Sequence, residues 1–232
     1  MLGCDKLKIY IGYDQRDDKA FEVAKKSILT HAPDVEIVKL TESLARQAGF
    51  ARSYRVDKNG QMWDDIDKRP FSTQFSFTRF CVPILEDYRE GWVLFMDADM
   101  MLRTDITQVL NDIDPDKSIM CVKHNYSPSE KKKMGGLIQS HYNRKNWSSF
   151  MLMNPSKCRS LTIDDINSMT GRDLHSLEWA GDIGELSSDW NFLVGHSTGE
   201  PKNVHFTQGT PDMPFSIKSE WDREWWDYFE AV

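Results

Sequence analysis

Two aspartates one residue apart, Asp97-Ala98-Asp99, follow directly on the apolar run Trp92-Val93-Leu94-Phe95-Met96. A continuous apolar run bounded by Gly91 reads as a strand buried on both faces of a mostly parallel sheet. Ligands of open α/β sheets collect outside the carboxyl ends of such strands. Carboxylates this close repel unless a cation or a shared proton compensates them. The chemistry suggested is a Mn2+ or Mg2+ site, because these ions take oxygen ligands and often hold substrate phosphates as well. The plainer reading is that Asp97 ends the strand and Asp99 caps a turn; placement directly behind the apolar run favours the metal.

The elements that must position this pair are legible on both sides of it. Lys8-Ile9-Tyr10-Ile11-Gly12 predicts a buried first strand, and Asp17 or Asp18 caps a helix carrying Ala20, Phe21, Ala24, Ile28 and Leu29 up to the stop at Pro33. Val35 to Leu40 alternates as a second strand. Residues 45–70 are polar and give no clear period. Ser72 to Tyr88 has helical spacing, with Pro83 as a kink or an end. Further strands are predicted at Ser118 to Val122, Ser149 to Met153 and Val204 to Phe206. Short helices are predicted at Ile163 to Met169 and Arg172 to Trp179, and a Trp-rich amphipathic helix at Glu220 to Phe229, where closing the core is the default role. No repeat or linker interrupts the pattern, so the expectation is one α/β domain over residues 1–232.

Composition removes several function classes. Hydrophobic content of 40% and aromatic content of 12% exclude a disordered polyelectrolyte. The formal net charge of -7 argues against nucleic acid as a partner, since a phosphate backbone needs a positive footprint. No run approaches the roughly 20 apolar residues of a membrane span. Nothing near Met1 resembles an export signal, and Cys4, Cys81, Cys121 and Cys158 are widely spaced, so reduced thiols and a cytoplasmic location are expected. Asp outnumbers Glu by 24 to 12, and most of this excess, including Asp17, Asp18, Asp64 and Asp112, reads as caps and turns.

With these motifs in order, the chain resembles the GT-A glycosyltransferases, and within them the stereochemistry-retaining group of glycogenin and the bacterial lipopolysaccharide galactosyltransferases (family 8). The resemblance rests on scattered blocks: Ile9 to Asp14, Thr78-Arg79-Phe80, Val93 to Asp99, Asn146 to Asn154, Ser188 to Leu193, and His205-Phe206-Thr207-Gln208-Gly209. It implies a GT-A fold, a single Rossmann-like, mostly parallel sheet flanked by helices, and transfer of a sugar from a nucleotide-diphospho-sugar, UDP-linked by preference, to an acceptor hydroxyl. The acceptor, whether glycan, lipid-linked or protein, is not implied.

Residue by residue, the resemblance makes Asp97, Asp99 and His205 ligands of a Mn2+ or Mg2+ ion bridging the donor diphosphate. Arg79, eighteen residues before Asp97, falls where the family places a basic residue reaching the phosphates, a task suited to a planar guanidinium. The loop Ile11-Gly12-Tyr13-Asp14 would receive the base, with Asp14 at the position that contacts uracil; Ala98 and Gly209 belong to the same donor site. The family's stacking tyrosine is replaced, at about Asp17, and Tyr13 is the nearby substitute. Asn146 and Asp189 match residues that hold the donor sugar, while Trp190 stands in place of the family's glutamine. The family's lysine after the metal histidine is absent, leaving Lys131-Lys132-Lys133 as another source of positive charge or a solvated run. The expected catalytic set is therefore Asp189, Asn146 and Arg79. His31, His124, His141, His175 and His196 carry no comparable context.

Three alternatives use the same residues differently. An aspartyl-nucleophile phosphatase places its Asp-x-Asp on the first strand with Thr or Val at the fourth position on; here the motif is mid-chain and that position is Met101. A nucleotidyltransferase needs a Gly- and Lys-rich loop after the first strand, and Gly12-Tyr13-Asp14-Gln15-Arg16 lacks it. A non-catalytic domain binding a nucleotide-sugar or glycan on the same fold stays open because of Trp190 and the missing lysine.

Overall fold

The computed structural model describes residues 6–125, 132–133, 137–138 and 144–231. In chain order, β1 (Lys8–Gly12), α1 (Asp18–His31), β2 (Glu36–Leu40) and α2 (Glu42–Gln47) lead to three short strands, β3 (Tyr54–Val56), β4 (Met62–Asp64) and β5 (Pro70–Phe71). A helical stretch follows as α3 (Phe75–Thr78), a 3-10 turn at Arg79–Cys81 and α4 (Val82–Leu85). Next come β6 (Val93–Met96), β7 (Met100–Leu102), β8 (Ile119–Cys121), the small pair β9 (Lys132–Lys133) and β10 (Leu137–Ile138), and β11 (Phe150–Met153). The chain continues through α5 (Ile163–Ser168), α6 (Gly171–Ser176), β12 (Ile183–Glu185), β13 (Phe192–Leu193), β14 (Asn203–His205) and α7 (Asp222–Glu230).

The central sheet has the order β12-β8-β11-β6-β1-β2, parallel except that β11 runs against both β6 and β8. Every side chain of β6 and β11 is buried, which is why both segments are uninterrupted apolar runs. A second sheet, β13-β14-β7, leaves the first just past Asp99, and β3-β4-β5 forms a third. The mixed α/β architecture and the strands expected around the acid pair are thus present.

Several local expectations change. The stretch at 72–88 is not one kinked helix. Pro83 lies in the first turn of α4, where its missing N–H costs nothing, and the chain leaves the helix at Asp87 and Tyr88 with φ of 47° and 50°. The segment without period, 45–70, contains strands too short for alternation to show. Asp64 does more than serve the turn, where it accepts from the Asp67 amide: its carboxylate also takes two 2.7 Å hydrogen bonds from buried Arg52, whose Nη1 donates to the carbonyls of Ile166 and Met169. Asp17 makes no capping bond to α1, and Asp112 accepts from Trp190 Nε1.

α7 closes a smaller core, with buried Trp225 packed among Val23, Met101, Val194, Val204 and Phe206. Lys26 of α1 holds its end by donating to the carbonyl of Phe229 at 3.0 Å. Cys81, Cys121 and Cys158 are buried free thiols, each pushed up to about 12 by burial and so inert at neutral pH. Cys4, Lys131 and His141 lie outside the described residues.

Candidate active site

Strand register builds the acid–histidine group. β6 ends at Met96, the Asp97 amide donates to the Ser149 carbonyl at 2.8 Å, and two residues later β7 pairs antiparallel with β14, setting His205 opposite Met100. The Phe206 amide then donates to the Asp99 carbonyl at 2.9 Å. As a result one ligand atom each from Asp97, Asp99 and His205 lies within 4.8 Å of the others, with His205 Nε2 3.3 Å from Asp99 Oδ1.

The far side of the imidazole decides what this group can hold. His205 Nδ1 is 2.8 Å from Asn191 Oδ1, while Asn191 Nδ2 donates to the Asn146 carbonyl and to Ser149 Oγ. A carbonyl only accepts, so the Asn191 amide is oriented with its oxygen toward histidine, and the ring proton resides on Nδ1. Nε2 therefore presents its lone pair to the two carboxylates, the tautomer a metal ligand needs, fixed by a second residue as metal-bound histidines usually are. Two carboxylates and one imidazole are a donor set that a divalent transition ion such as Mn2+ fits.

A cleft of about 150 Å³ opens onto this group, lined among others by Asp17, Arg79, Asp97, Asp99, Asn146 and Gly209. Arg79 is buried; its Nη1 stands 2.9 Å from Asp97 Oδ1 and donates to the Ser148 carbonyl, and its Nε donates to the Phe75 carbonyl. It thus fixes Asp97 in place as well as facing the cleft. Asn146 holds a left-handed backbone, φ 64°, at the turn into β11, and its buried Nδ2 meets no partner among the described residues. That leaves a donor to be satisfied where a ligand would lie. His175, assigned no role from sequence, is half-buried in the same wall with Nδ1 2.7 Å from Ser148 Oγ; desolvation, then the charge of Arg79, pulls it well below the usual imidazole range.

Asp17 is the unexpected member. Only 8% exposed, it presents an Oδ1 that no described group hydrogen-bonds. Burial, then the charges of Asp14 and Asp99, push its carboxyl up to about 7.

The other anticipated residues are not brought to the cleft lining. Ile11 and Ala98 are core residues, and Gly12 is required because a Cβ there would meet the Phe75 ring at 2.6 Å. Tyr13 packs edge-on against Phe21 under the Lys39 ammonium and donates to Asp18. Asp14 has both oxygens occupied, by the Arg16 amide and guanidinium and by the Gln74 amide. Asp189 pairs with Lys202 at 3.1 Å, and Lys202 precedes β14 while His205 ends it, so Asp189 sits at the opposite end of that strand from His205. Trp190 points into the core, stacked on Phe150, so it does not fill the place of a polar residue beside the sugar. Asn191, one residue further on, is the member of this block that reaches the site. Nothing in its local sequence marks it, because its partners are 14 to 45 residues away.

The mixed α/β sheet, with a second small sheet leaving its carboxyl edge beside the acid pair, is the fold that solved glycosyltransferases of the GT-A type share. The chain belongs to the family of Protein CDI of Arabidopsis thaliana, with which it is 39% identical over 216 residues, covering 88% of this chain and 78% of that protein. No protein-family model matches. Among solved structures it is similar to the glycosyltransferase GlyE of Streptococcus pneumoniae TIGR4 (19% identity, TM-score 0.59), matching over 98% of its own length and spanning only 61% of that chain. It is also similar to the galactosyltransferase LgtC, crystallised with donor and acceptor sugar analogues (17% identity, TM-score 0.59, 97% of both chains). Among the described residues no helix is long and apolar enough to cross a membrane.

Proposed function

We propose that this protein is a metal-dependent glycosyltransferase that moves a sugar from a nucleotide-diphospho-sugar to an acceptor hydroxyl with retention at the anomeric carbon, UDP-sugars being the first donors to test. The observation that carries the reading is the convergence of Asp97, Asp99 and His205, two of which line the cleft, with the His205 lone pair turned toward both carboxylates. These three residues would hold a Mn2+ or Mg2+ ion, which when bound supplies Lewis-acid neutralisation of a departing nucleoside diphosphate.

The protein's own groups do the remainder. Arg79 keeps Asp97 aligned and adds fixed positive charge next to where the diphosphate would gather negative charge. The Asn146 amide is a donor for a hydroxyl of the transferred sugar, and the wall of Ser148 and His175 holds Arg79 against drift. Little covalent participation is required, since positioning and charge stabilisation dominate such a transfer.

The test is to measure UDP-dependent thermal stabilisation with Mn2+ and with EDTA, then donor turnover with wild type and Asp99→Ala. Metal-dependent stabilisation and turnover, both abolished in Asp99→Ala, support the proposal. Full-rate turnover by Asp99→Ala would sink it, and metal-dependent binding with no turnover of any donor would favour a binding domain instead.

A further inference from the structure

The cleft lining continues past the acid pair to β5 and α6, taking in Arg69, Pro70, Phe71, Lys145 and Arg172. From Asp97 the wall runs through Arg79 to the Ser148 carbonyl, and from Ser148 Oγ to His175. Arg172 stands three residues before His175 on α6, hence on the same helical face, and both line the cleft. The Asp67 carboxylate accepts from the Arg69 amide and from the Gly171 amide, each at 3.0 Å. One side chain thus clamps together the two segments that carry Arg69 and Arg172.

Charge is unbalanced at this end. Asp64 is neutralised by Arg52, Asp97 is paired to Arg79, and Asp67 has one oxygen turned to each of its two amides. Arg69 and Arg172 are exposed, and among the described residues neither side chain makes an ion pair or a hydrogen bond. Lys145 adds a third cation to the lining, so three positive charges face the one carboxylate of Asp67. Lys145, Arg79 and Arg52 all oppose a proton on His175, as a positive local field requires. In a chain of net charge -7 this is a local reversal of sign, held in a concavity that concentrates its field.

Beside these cations lies an apolar surface. Half-buried Phe71 is braced edge-on by Phe77 at 5.0 Å and by Tyr54 at 5.4 Å. A fixed aromatic ring next to two guanidinium forks suits a sugar ring that bears an oxyanion, because each fork pairs two oxygens of a phosphate or carboxylate at once. The diphosphate of a donor is already met by the acid–histidine group and Arg79, so a second set of cations calls for a second anion.

We propose that Arg69 and Arg172 form an oxyanion subsite for the acceptor, which is then a sugar carrying a phosphate or carboxylate group. The assignment to the acceptor rests on the glycosyltransferase reading above; the anion subsite itself does not.

The experiment titrates the whole chain in EDTA with inorganic phosphate, glucose 6-phosphate, glucuronate and glucose, read by calorimetry or ligand-detected NMR. It is repeated with Mg2+ and UDP present, and in the double variant Arg69→Ala/Arg172→Ala and in Arg172→Lys. Wild type is expected to hold an anionic sugar about tenfold or more tighter than glucose, the range of hydrogen bonds to a charged group, and less so as salt is raised. Whichever of glucose 6-phosphate and glucuronate binds tighter tells phosphate from carboxylate. The double variant should bring the preference over glucose close to one with its melting temperature and UDP affinity unchanged, and Arg172→Lys should lie in between. No preference in wild type, or a preference that survives the double replacement, overturns the proposal. Phosphate displaced by UDP would give the arginines to the donor diphosphate, and a double variant that loses only UDP-glucuronate relative to UDP-glucose would put the anion on the donor sugar; either result overturns it. If UDP does not bind wild type while phosphate binding still needs both arginines, the glycosyltransferase reading fails and takes the acceptor assignment with it.

Discussion

Arg79 Nη1 and Asp97 Oδ1 are 2.9 Å apart at the base of the cleft, and the same guanidinium is tied to two backbone carbonyls, those of Ser148 and Phe75. The ring of Phe95 lies beneath it, 4.9 Å from ring centre to guanidinium carbon. An ammonium on a flexible stem cannot reproduce this fork. Arg79→Lys should therefore behave as a disruptive change, losing turnover by at least tenfold and about 1–3 kcal/mol of stability from the unpaired carbonyls and carboxylate. Denaturant melts and donor turnover on the same preparation check it; a variant with wild-type melt and rate would show that the fork is dispensable.

The Asn191–His205 contact makes a separate prediction about metal affinity. Asn191→Ala removes the acceptor that keeps the ring proton on Nδ1, so part of the population turns the protonated nitrogen toward the carboxylates. Mn2+ affinity should fall about 10- to 100-fold, the usual cost of losing such a supporting partner. Asn191→Asp keeps an acceptor and should retain more of the affinity. Titration followed by electron paramagnetic resonance measures free Mn2+ directly, and equal affinity in wild type and Asn191→Ala would refute the tautomer argument.

How much of this was legible beforehand depends on the range of the interaction. The strand before Asp97 could be read because five apolar residues ending in two acids have few structural solutions, and β6 and its neighbours β1 and β11 follow from similar local runs. His205 could be singled out only through resemblance, because its meeting with Asp99 depends on the β7–β14 register. Asn191, His175 and Asp17 escaped because their roles come from burial and from partners distant in sequence. In the block around Asp189 the turn at Ser188–Asn191 brings Asn191 against His205 while Asp189 pairs with Lys202, a division that local matching alone does not show.

The third β-sheet makes a stability prediction apart from the acid–histidine group. Arg52 and Asp64 form a bidentate pair with both side chains 1% exposed, joining β4 to the carbonyls at the end of α5. Removing one partner leaves a buried charge uncompensated, so Arg52→Met or Asp64→Leu alone should cost about 3–5 kcal/mol. The double replacement should cost much less than the sum, because the second change removes the orphaned charge. Denaturant unfolding of the three variants checks it; strict additivity would mean that the pair is not a coupled unit.

Asp17 gives the last prediction, in which pH and stability are linked. In the unfolded chain its proton leaves near the ordinary carboxyl value of 3.8, whereas in the folded protein it stays until about 7. Between these values the folded state binds more protons than the unfolded one, so this residue's contribution to stability falls as pH rises through that window and levels off above it. A separation of about three pK units corresponds to roughly 4 kcal/mol at most. Asp17→Asn carries no such proton. In EDTA its melting temperature should match wild type near pH 4, rise above it progressively toward pH 7, and keep a constant lead beyond. Mn2+ should narrow the lead by offsetting the charge of Asp99, one of the groups that raise the Asp17 proton affinity. A variant more stable than wild type at neutral pH yet weaker in binding at the cleft that Asp17 lines would have the signature of a residue retained for ligand recognition. A lead that does not vary with pH would show that burial of the Asp17 charge is not what the folded protein bears.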